Sequence, residues 1–221
     1  MSELWETLLL SLKLAFWTSL LLLPLAGGWA WWVVRYPVRG RAFWETLPLL
    51  PLTLPPTVIG FYFLLLFGSQ GPLAGLHLPF TFPGLVVASV LFNLPLAFNT
   101  FRETFRSLDP SLLETARTLG ARPLKIWRGV ILPLTWPGLL SGTILVFAHT
   151  LGEFGVALMV GGSIPRETKV ASIYLFELTE SARFDEAHRL ALVLILLGFG
   201  FALFLRLLES RKVRWRSPTG S

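Results

Sequence analysis

Cysteine is absent from the 221-residue sequence, which excludes disulfides, thiolate metal sites and thiol nucleophiles at once. A phosphate-binding G-x-x-x-x-G-K-[ST] loop is also missing, so this chain does not hydrolyse ATP by that route. There is no G-x-S-x-G elbow and no H-E-x-x-H pair, and the three histidines lie far apart in the sequence. We therefore predict that the chain is not an enzyme, and that it holds no catalytic residue, no metal and no cofactor.

Charged residues are scarce as well. They make up 14% of the sequence, whereas hydrophobic residues make up 53%. This composition is too apolar for an ordinary soluble domain. Because apolar segments of about 20 residues cross a bilayer as helices, the sequence predicts an all-α integral membrane protein.

The basic residues are the second informative feature, because the formal net charge is +6 and most of them are clustered. Fourteen of the nineteen fall in three groups, which are Arg35, Arg39 and Arg41; Arg102, Arg106, Arg117, Arg122, Lys125 and Arg128; and Arg206, Arg211, Lys212, Arg214 and Arg216. They flank apolar segments and alternate with acidic or neutral loops, as the positive-inside rule describes. This argues against nucleic-acid binding and places the N-terminus outside and the C-terminus in the cytoplasm.

Five apolar segments lie between these charge clusters. The predicted spans are residues 8–34, 47–67, 82–101, 134–152 and 190–208, followed by a basic cytoplasmic tail at 211–221. Residues 154–160 are apolar but short, and we expect an outer gate or re-entrant segment there. Residues 163–188 are predicted to form an external loop with one amphipathic helix, a surface that could receive a soluble partner.

The second predicted span is rich in proline, which removes a backbone donor and prevents one straight helix. Backbone carbonyls freed in this way must be satisfied by protein or by a water-filled cavity. Pro55 and Pro56 are therefore candidate residues of a translocation pathway. The alternative is a kinked packing helix that contacts no substrate.

Three polar residues are expected at or near membrane depth, where such groups are costly and often functional. Asn93 either bonds a neighbouring helix or lines a pathway, and His149 is a further pathway candidate. Glu153 either fixes a break in the chain or pairs with a basic group of an external gate. The alternative for Glu153 is an exposed carboxylate just beyond a helix end.

The stretch from Ser107 to Pro133 is the polar segment around which the chain is organised. Asp109 is a good helix N-cap, Pro110 suits the first helical position, and Gly120 supplies a left-handed residue after the helix. Pro123 opens a second short helix, and Pro133 is expected to end it. An apolar face is predicted from Leu112, Leu113, Ala116 and Leu119. This two-helix hairpin could dock on a cytoplasmic partner, or it could lie on the bilayer surface.

The hairpin also resembles a known family. Glu114, Ala116 and Gly120, followed by Val130, Leu132 and Pro133, resemble the EAA signature of the membrane subunits of binding-protein-dependent ABC importers. Thr115 departs from the second alanine of that signature. The strings ETARTLGARP, LPLTWPGLLSGTILVFAHTLGEFG, IPRETKVASIYLFEL and LPLTLPPTVIGFYFLLLFGSQGPLAG resemble molybdate permease subunits, and the likeness covers residues 8–210.

The resemblance implies a type I ABC importer transmembrane domain at residues 8–210, with five spans and cytoplasmic coupling helices at 107–130. It also implies a prokaryotic inner membrane, a homodimer, two ABC ATPase subunits that bind ATP and Mg²⁺, and an extracytoplasmic oxyanion-binding protein. Besides these partners, membrane lipid surrounds the chain. The residues expected to couple to the ATPase are Leu112, Leu113, Glu114, Ala116, Leu119, Gly120 and Pro123. Molybdate is the expected substrate, with tungstate and sulfate or thiosulfate as alternatives, and a passive channel or structural subunit as the alternative class.

Overall fold

The structure is a computed structural model that describes the backbone of residues 2–214 and the side chains of residues 3–207. In this part of the chain all regular structure is helical, and no strand is present. The helices are α1 (Ser2–Arg35), α2 (Arg41–Thr46), α3 (Leu50–Thr53), α4 (Pro56–Phe67), α5 (Phe82–Arg106), α6 (Pro110–Thr118), α7 (Pro123–Ile126), α8 (Leu132–Leu151), α9 (Gly155–Gly161), α10 (Ala171–Glu180) and α11 (Phe184–Arg214). The predicted all-α fold is confirmed.

Helices α1, α5 and α8 pack on one another and form the centre of the fold. The main core cluster contains Leu22 and Ala26 from α1, Phe98 and Phe101 from α5, and Val146 from α8. The glycine-rich half of α8 allows this close approach. A Cβ added at Gly142 would lie 2.8 Å from Cε1 of Phe101, so a larger residue there would push α8 away from α5.

Within residues 2–207, four helical segments are long and apolar enough to cross a membrane, namely Glu3–Arg35, Phe82–Arg106, Pro123–Leu151 and Phe184–Leu207. The second span, at 47–67, is not one straight helix, as its prolines predict. Residues Arg41–Thr53 and Pro56–Phe67 meet at an angle of 106°. A proline disfavours the α conformation of the residue before it, and Leu54 and Pro55 both precede prolines. Both are extended, with ψ values of 141° and 140°, which accounts for the break.

The prediction that Pro133 ends a helix is wrong. The helix that begins at Pro123 continues to Leu151, through a π-helical turn at Trp127–Ile131. In this turn the N–H of Leu132 bonds to the carbonyl oxygen of Trp127, five residues back. Proline is tolerated where its missing donor is compensated locally, and Pro133 directly follows the wider turn. Helix α7, the π-helical turn and α8 therefore form one continuous helix.

Helices α9 and α10 close the end of the bundle opposite the hairpin. α9 packs against α4 and α5, and α10 packs against α11 and α1. Lys169, in the connection before α10, lies 3.1 Å from Glu3 and 2.9 Å from Glu177, and Arg166 pairs with Glu6 at 3.0 Å. Residues 211–214 of the predicted basic tail belong to helix α11, whereas residues 215–221 lie outside the described part.

Candidate functional site

The first candidate site is a cluster of polar side chains around the carboxylate of Glu153, which we call the carboxylate cluster (Ser89, Asn93, His149 and Glu153). Glu153 lies in the short connection between α8 and α9 and is only 4% exposed. Its Oε1 accepts a hydrogen bond from the hydroxyl of Ser89 at 3.1 Å, and its Oε2 accepts one from Nδ2 of Asn93 at 3.0 Å. The interpretation of Glu153 as an exposed carboxylate beyond a helix end is therefore wrong.

The backbone at Glu153 is held as well, because the hydroxyl of Ser172 donates to its carbonyl oxygen at 2.6 Å. No cation of the described residues lies within ion-pairing distance of this carboxylate. Of the two roles expected for Glu153, the arrangement fits fixing the break between α8 and α9, and it does not fit pairing with a basic gate residue.

Asn93 links this carboxylate to His149. The Nδ2 group of Asn93 also donates to the carbonyl oxygen of Ser89 at 2.9 Å, and its Oδ1 lies 2.8 Å from Nδ1 of His149. A backbone carbonyl oxygen only accepts hydrogen bonds, so the NH₂ group of Asn93 faces Ser89 and Glu153, and its amide oxygen faces the imidazole. Because that oxygen also only accepts, Nδ1 of His149 must carry a proton.

The two ends of this chain of hydrogen bonds differ in exposure. Asn93 is completely buried, so its side chain bonds a neighbouring helix and lines no surface of this chain. His149, by contrast, is exposed, and its ring lies 5.8 Å from that of Phe92. The cluster therefore presents a single imidazole, held in one tautomer, at the surface of α8.

The proline break lies close to the same region. A Cβ added at Gly155, two residues after Glu153, would lie 3.0 Å from Cβ of Pro56. Pro55 is the N-cap of α4. The structure thus brings four of the five predicted pathway residues, Pro56, Asn93, His149 and Glu153, to the junction of α4, α5, α8 and α9, with Pro55 next to Pro56 in the chain.

Ser89 and Ser172 were not identified from the sequence. Ser89 precedes Asn93 by four residues, so a helix places both on one face, and this spacing is a signal that could have identified it. Ser172 lies in α10, and no local pattern links it to residue 153. Its contact depends on how α10 folds back.

The second candidate site is the hairpin formed by α6 and α7. Asp109 caps α6, because its Oδ1 accepts a hydrogen bond from the backbone N–H of Ser111 at 2.9 Å. That bond stabilises the charged carboxylate and holds the pKa of Asp109 below its ordinary value.

The end of α6 is a Schellman motif, in which the N–H of Ala121 bonds to the carbonyl oxygen of Ala116 at 3.1 Å and the N–H of Gly120 bonds to that of Arg117 at 2.9 Å. Gly120 has φ +74°, a conformation that glycine adopts without strain.

The apolar residues predicted to share one face of α6 divide between two environments. Leu113 is 2% exposed and belongs to the main core, and Ala116 packs partly against that core. Leu112 is 48% exposed and Leu119 is 81% exposed. Leu113 therefore anchors the hairpin on this chain's own helices and is not available to a partner. Glu114, Gly120 and Pro123 are exposed.

Relatives of the chain are transport permeases. The chain is 41% identical over 212 residues to the molybdenum transport system permease protein ModB of Azotobacter vinelandii, covering 93% of both proteins. It is 34% identical to the corresponding protein of Escherichia coli K12, covering 88% of each. It is also 30% identical to a probable sulfate transport system permease protein of Chlorella vulgaris, covering 93% of this chain and 80% of that protein.

The fold agrees with these sequence relationships. A bacterial alginate ABC transporter, solved in complex with its pentasaccharide-bound periplasmic protein, has a chain that superposes with a TM-score of 0.77 at 16% identity, covering 93% of this chain and 78% of the other. The family described as the binding-protein-dependent transport system inner membrane component matches residues 23–214. The chain therefore belongs to that family of multi-pass inner-membrane ABC importer subunits.

Proposed function

We propose that this chain is the permease subunit of an ATP-driven importer of molybdate. The observation that carries the substrate assignment is the 41% identity to a molybdenum permease over 93% of both chains. The basic clusters support an orientation in which the hairpin and the C-terminus lie in the cytoplasm. Two copies of the chain line the pathway, two ABC ATPase subunits supply the energy, and an extracytoplasmic binding protein delivers the anion.

The hairpin transmits the motion of the ATPase. Its tip presents Leu112, Leu119 and Leu124, which are 48%, 81% and 62% exposed, so apolar side chains face outward on a polar segment. The rigid Schellman turn fixes the tip, and Leu113 holds it on the core. Because α7 continues through the π turn into α8, a displacement of the tip moves α8 as well, and with it the carboxylate cluster at the far end of α8.

His149 is the residue of the carboxylate cluster that meets the anion. Its Nδ1–H is committed to Asn93, so the other ring nitrogen is left to interact with the pathway. A neutral imidazole offers an acceptor there, which cannot bond an oxyanion, whereas an imidazolium offers a donor. The passing anion and a proton on His149 therefore stabilise each other. Such a contact is single and transient, which suits a site that an anion must enter and leave.

Uptake by proteoliposomes tests this function. The permease is reconstituted with its ATPase and binding protein, and entry of labelled molybdate is followed with ATP, without ATP and without the ATPase. We expect saturable uptake that requires both ATP and the ATPase and is competed by tungstate. Uptake without the ATPase would establish a passive channel, and preferred uptake of sulfate would establish a sulfate permease instead.

A variant of His149 tests the pathway role in the same assay. We expect His149→Phe, which removes the donor, to lower ATP-driven uptake about tenfold or more, since one hydrogen bond to a charged group contributes about 1.5–3 kcal/mol. His149→Gln keeps an amide donor and should retain more of the uptake. Equal uptake by both variants and the unmodified permease would remove His149 from the pathway.

A further inference from the structure

A pocket lies at the hairpin end of the bundle, between the end of α1 and the hairpin. It has a volume of about 210 Å³, and its lining includes Trp31, Arg35, Tyr36, Arg117 and Trp127. The other residues of its lining are apolar. Two arginines are thus combined with three aromatic rings, and no carboxylate contributes to the lining.

The aromatic part of the pocket is firmly held. The ring centroids of Trp31 and Trp127 lie 4.9 Å apart, and the ring of Phe105 packs edge-on against Trp31 with a centroid distance of 5.2 Å. The guanidinium of Arg35 lies over the Trp31 ring at 5.9 Å. This contact orients the guanidinium but does not neutralise its charge.

In the described part of the chain, three of the basic residues at this end are paired with a carboxylate, whereas Arg35 and Arg117 are not. Glu45 pairs with Arg41, Arg102 and Arg106 at 2.8–3.4 Å, and this ion-pair group holds α2 on the end of α5. Among the described residues, neither Arg35 nor Arg117 has a carboxylate within ion-pairing distance. Arg35 is nevertheless partly buried. A partly buried guanidinium without a counter-ion is stabilised by an anion from elsewhere.

The position of the pocket identifies the kind of anion. Arg35 is the last residue of α1, a helix that is long and apolar enough to span the bilayer, so the pocket lies where the hydrocarbon core ends. Tryptophan and tyrosine are enriched at this depth, and basic pockets between membrane helices bind lipid head groups. We propose that this pocket binds the phosphate head group of an anionic phospholipid, with Arg35 and Arg117 on the phosphate and the aromatic rings beside the glycerol and upper acyl chains.

The bound lipid would join α1 to the hairpin, because the two arginines come from these two elements. This assignment does not depend on which anion the permease transports. It needs only the hairpin end to lie at a membrane surface, as the multi-pass fold of the family requires.

Native mass spectrometry of the purified, delipidated permease tests the proposal after addition of phosphatidylglycerol, phosphatidylcholine or inorganic phosphate. We expect phosphatidylglycerol to be retained in preference to phosphatidylcholine. The variant with Arg35→Gln and Arg117→Gln should lower its retention about tenfold or more. Arg39→Gln with Arg122→Gln removes the same charge outside the pocket lining and should retain the lipid. Arg117→Gln alone, at an exposed position, should lower retention even if the double variant folds poorly.

Three results would overturn the proposal. Undiminished retention by Arg117→Gln would show that the lipid binds elsewhere. Equal retention of phosphatidylcholine would show that net negative charge is not recognised. Displacement of the lipid by inorganic phosphate at equal concentration would assign the pocket to a soluble anion.

Discussion

Nδ2 of Asn93 donates a hydrogen bond to Oε2 of Glu153 at 3.0 Å, joining two buried residues that are 60 positions apart in the sequence. The bond connects the middle of α5 to the break between α8 and α9. Since the amide oxygen of Asn93 also contacts His149, the same two residues fix the orientation of the imidazole. The conformation of the break and the orientation of the imidazole, on which the proposed anion contact relies, therefore depend on one buried carboxylate.

Replacing that carboxylate tests its structural role. We expect Glu153→Ala to destabilise the permease by about 1–3 kcal/mol, because Asn93 and Ser89 lose their acceptor inside the fold. Glu153→Gln should be tolerated better. The amide oxygen of the glutamine can accept from Nδ2 of Asn93, and its NH₂ group can donate to the hydroxyl of Ser89. The midpoint of thermal unfolding in detergent measures both effects.

The matched control is Glu103→Ala. Glu103 pairs with Arg102 and Arg106 but its side chain is 61% exposed, and exposed ion pairs contribute about 0–1 kcal/mol. Its unfolding midpoint should stay close to that of the unmodified protein. If Glu153→Ala unfolds at the same temperature as this control, the cluster does not hold the break in place.

The left-handed conformation of Gly120 gives a prediction about the hairpin turn. An L-residue at φ +74° costs about 1–2 kcal/mol, and a β-branched residue is the least tolerated. No atom lies within 4 Å of a Cβ added there, so any effect comes from the backbone and not from a clash. We expect Gly120→Val to lower the fraction of permease that copurifies with the ATPase. Gly120→Asn, which tolerates this conformation, should preserve it, and equal copurification of the two variants would argue against a turn-dependent contact.

The ion pairs before α10 predict a dependence on pH. Burial disfavours the charged form of Glu177, but hydrogen bonds from Ser163 and Lys169 outweigh this effect and lower its pKa. A lowered pKa in the folded state stabilises the fold above the pKa of the unfolded state, near 4.5, and this stabilisation is lost as the pH falls through the folded value. We therefore expect the protection factors of the amides in residues 163–177, which correct for the slower intrinsic exchange in acid, to fall as the pH is lowered through this range.

Two variants on α10 separate this effect from general acid unfolding. Glu177→Gln should reduce the local acid dependence, because one titrating group is gone, and leave the part that comes from Glu6, whose carboxylate pairs with Arg166. Glu180→Gln, on the same helix at an exposed position, should leave it unchanged. An undiminished acid response in Glu177→Gln would assign it to groups other than Glu177.

The all-α fold and the hairpin could be predicted from the sequence because their signals are local. Asp109 and Gly120 specify their helix ends by their own chemistry, and about 20 consecutive apolar residues specify a membrane helix whatever surrounds them. The signal for the break at Leu54 is also local, because it comes from the prolines that follow. The direction of the bend is set by contacts with other helices.

The remaining features depend on contacts that are distant in sequence. The spacing of the apolar residues in α6 predicts one face that includes Leu113 and Leu119. Only the packing of α6 on the main core shows that Leu113 is buried and that Leu119 is exposed. Pro133 ends no helix because the π turn before it compensates for the missing donor. The partners of Glu153 come from α5 and α10, which no spacing within residues 149–155 could indicate.

The central claim is that a separate ATPase binds the hairpin, and the rate of maleimide labelling at position 119 tests it most directly. Because the chain has no cysteine, Leu119→Cys creates a single reactive thiol at a position that is 81% exposed. Leu76→Cys, at a 60% exposed position before α5, provides the control at the opposite end. We predict that adding the ATPase slows labelling at position 119 at least about tenfold and leaves position 76 unchanged. Unchanged labelling at position 119 in the presence of the ATPase would contradict the account.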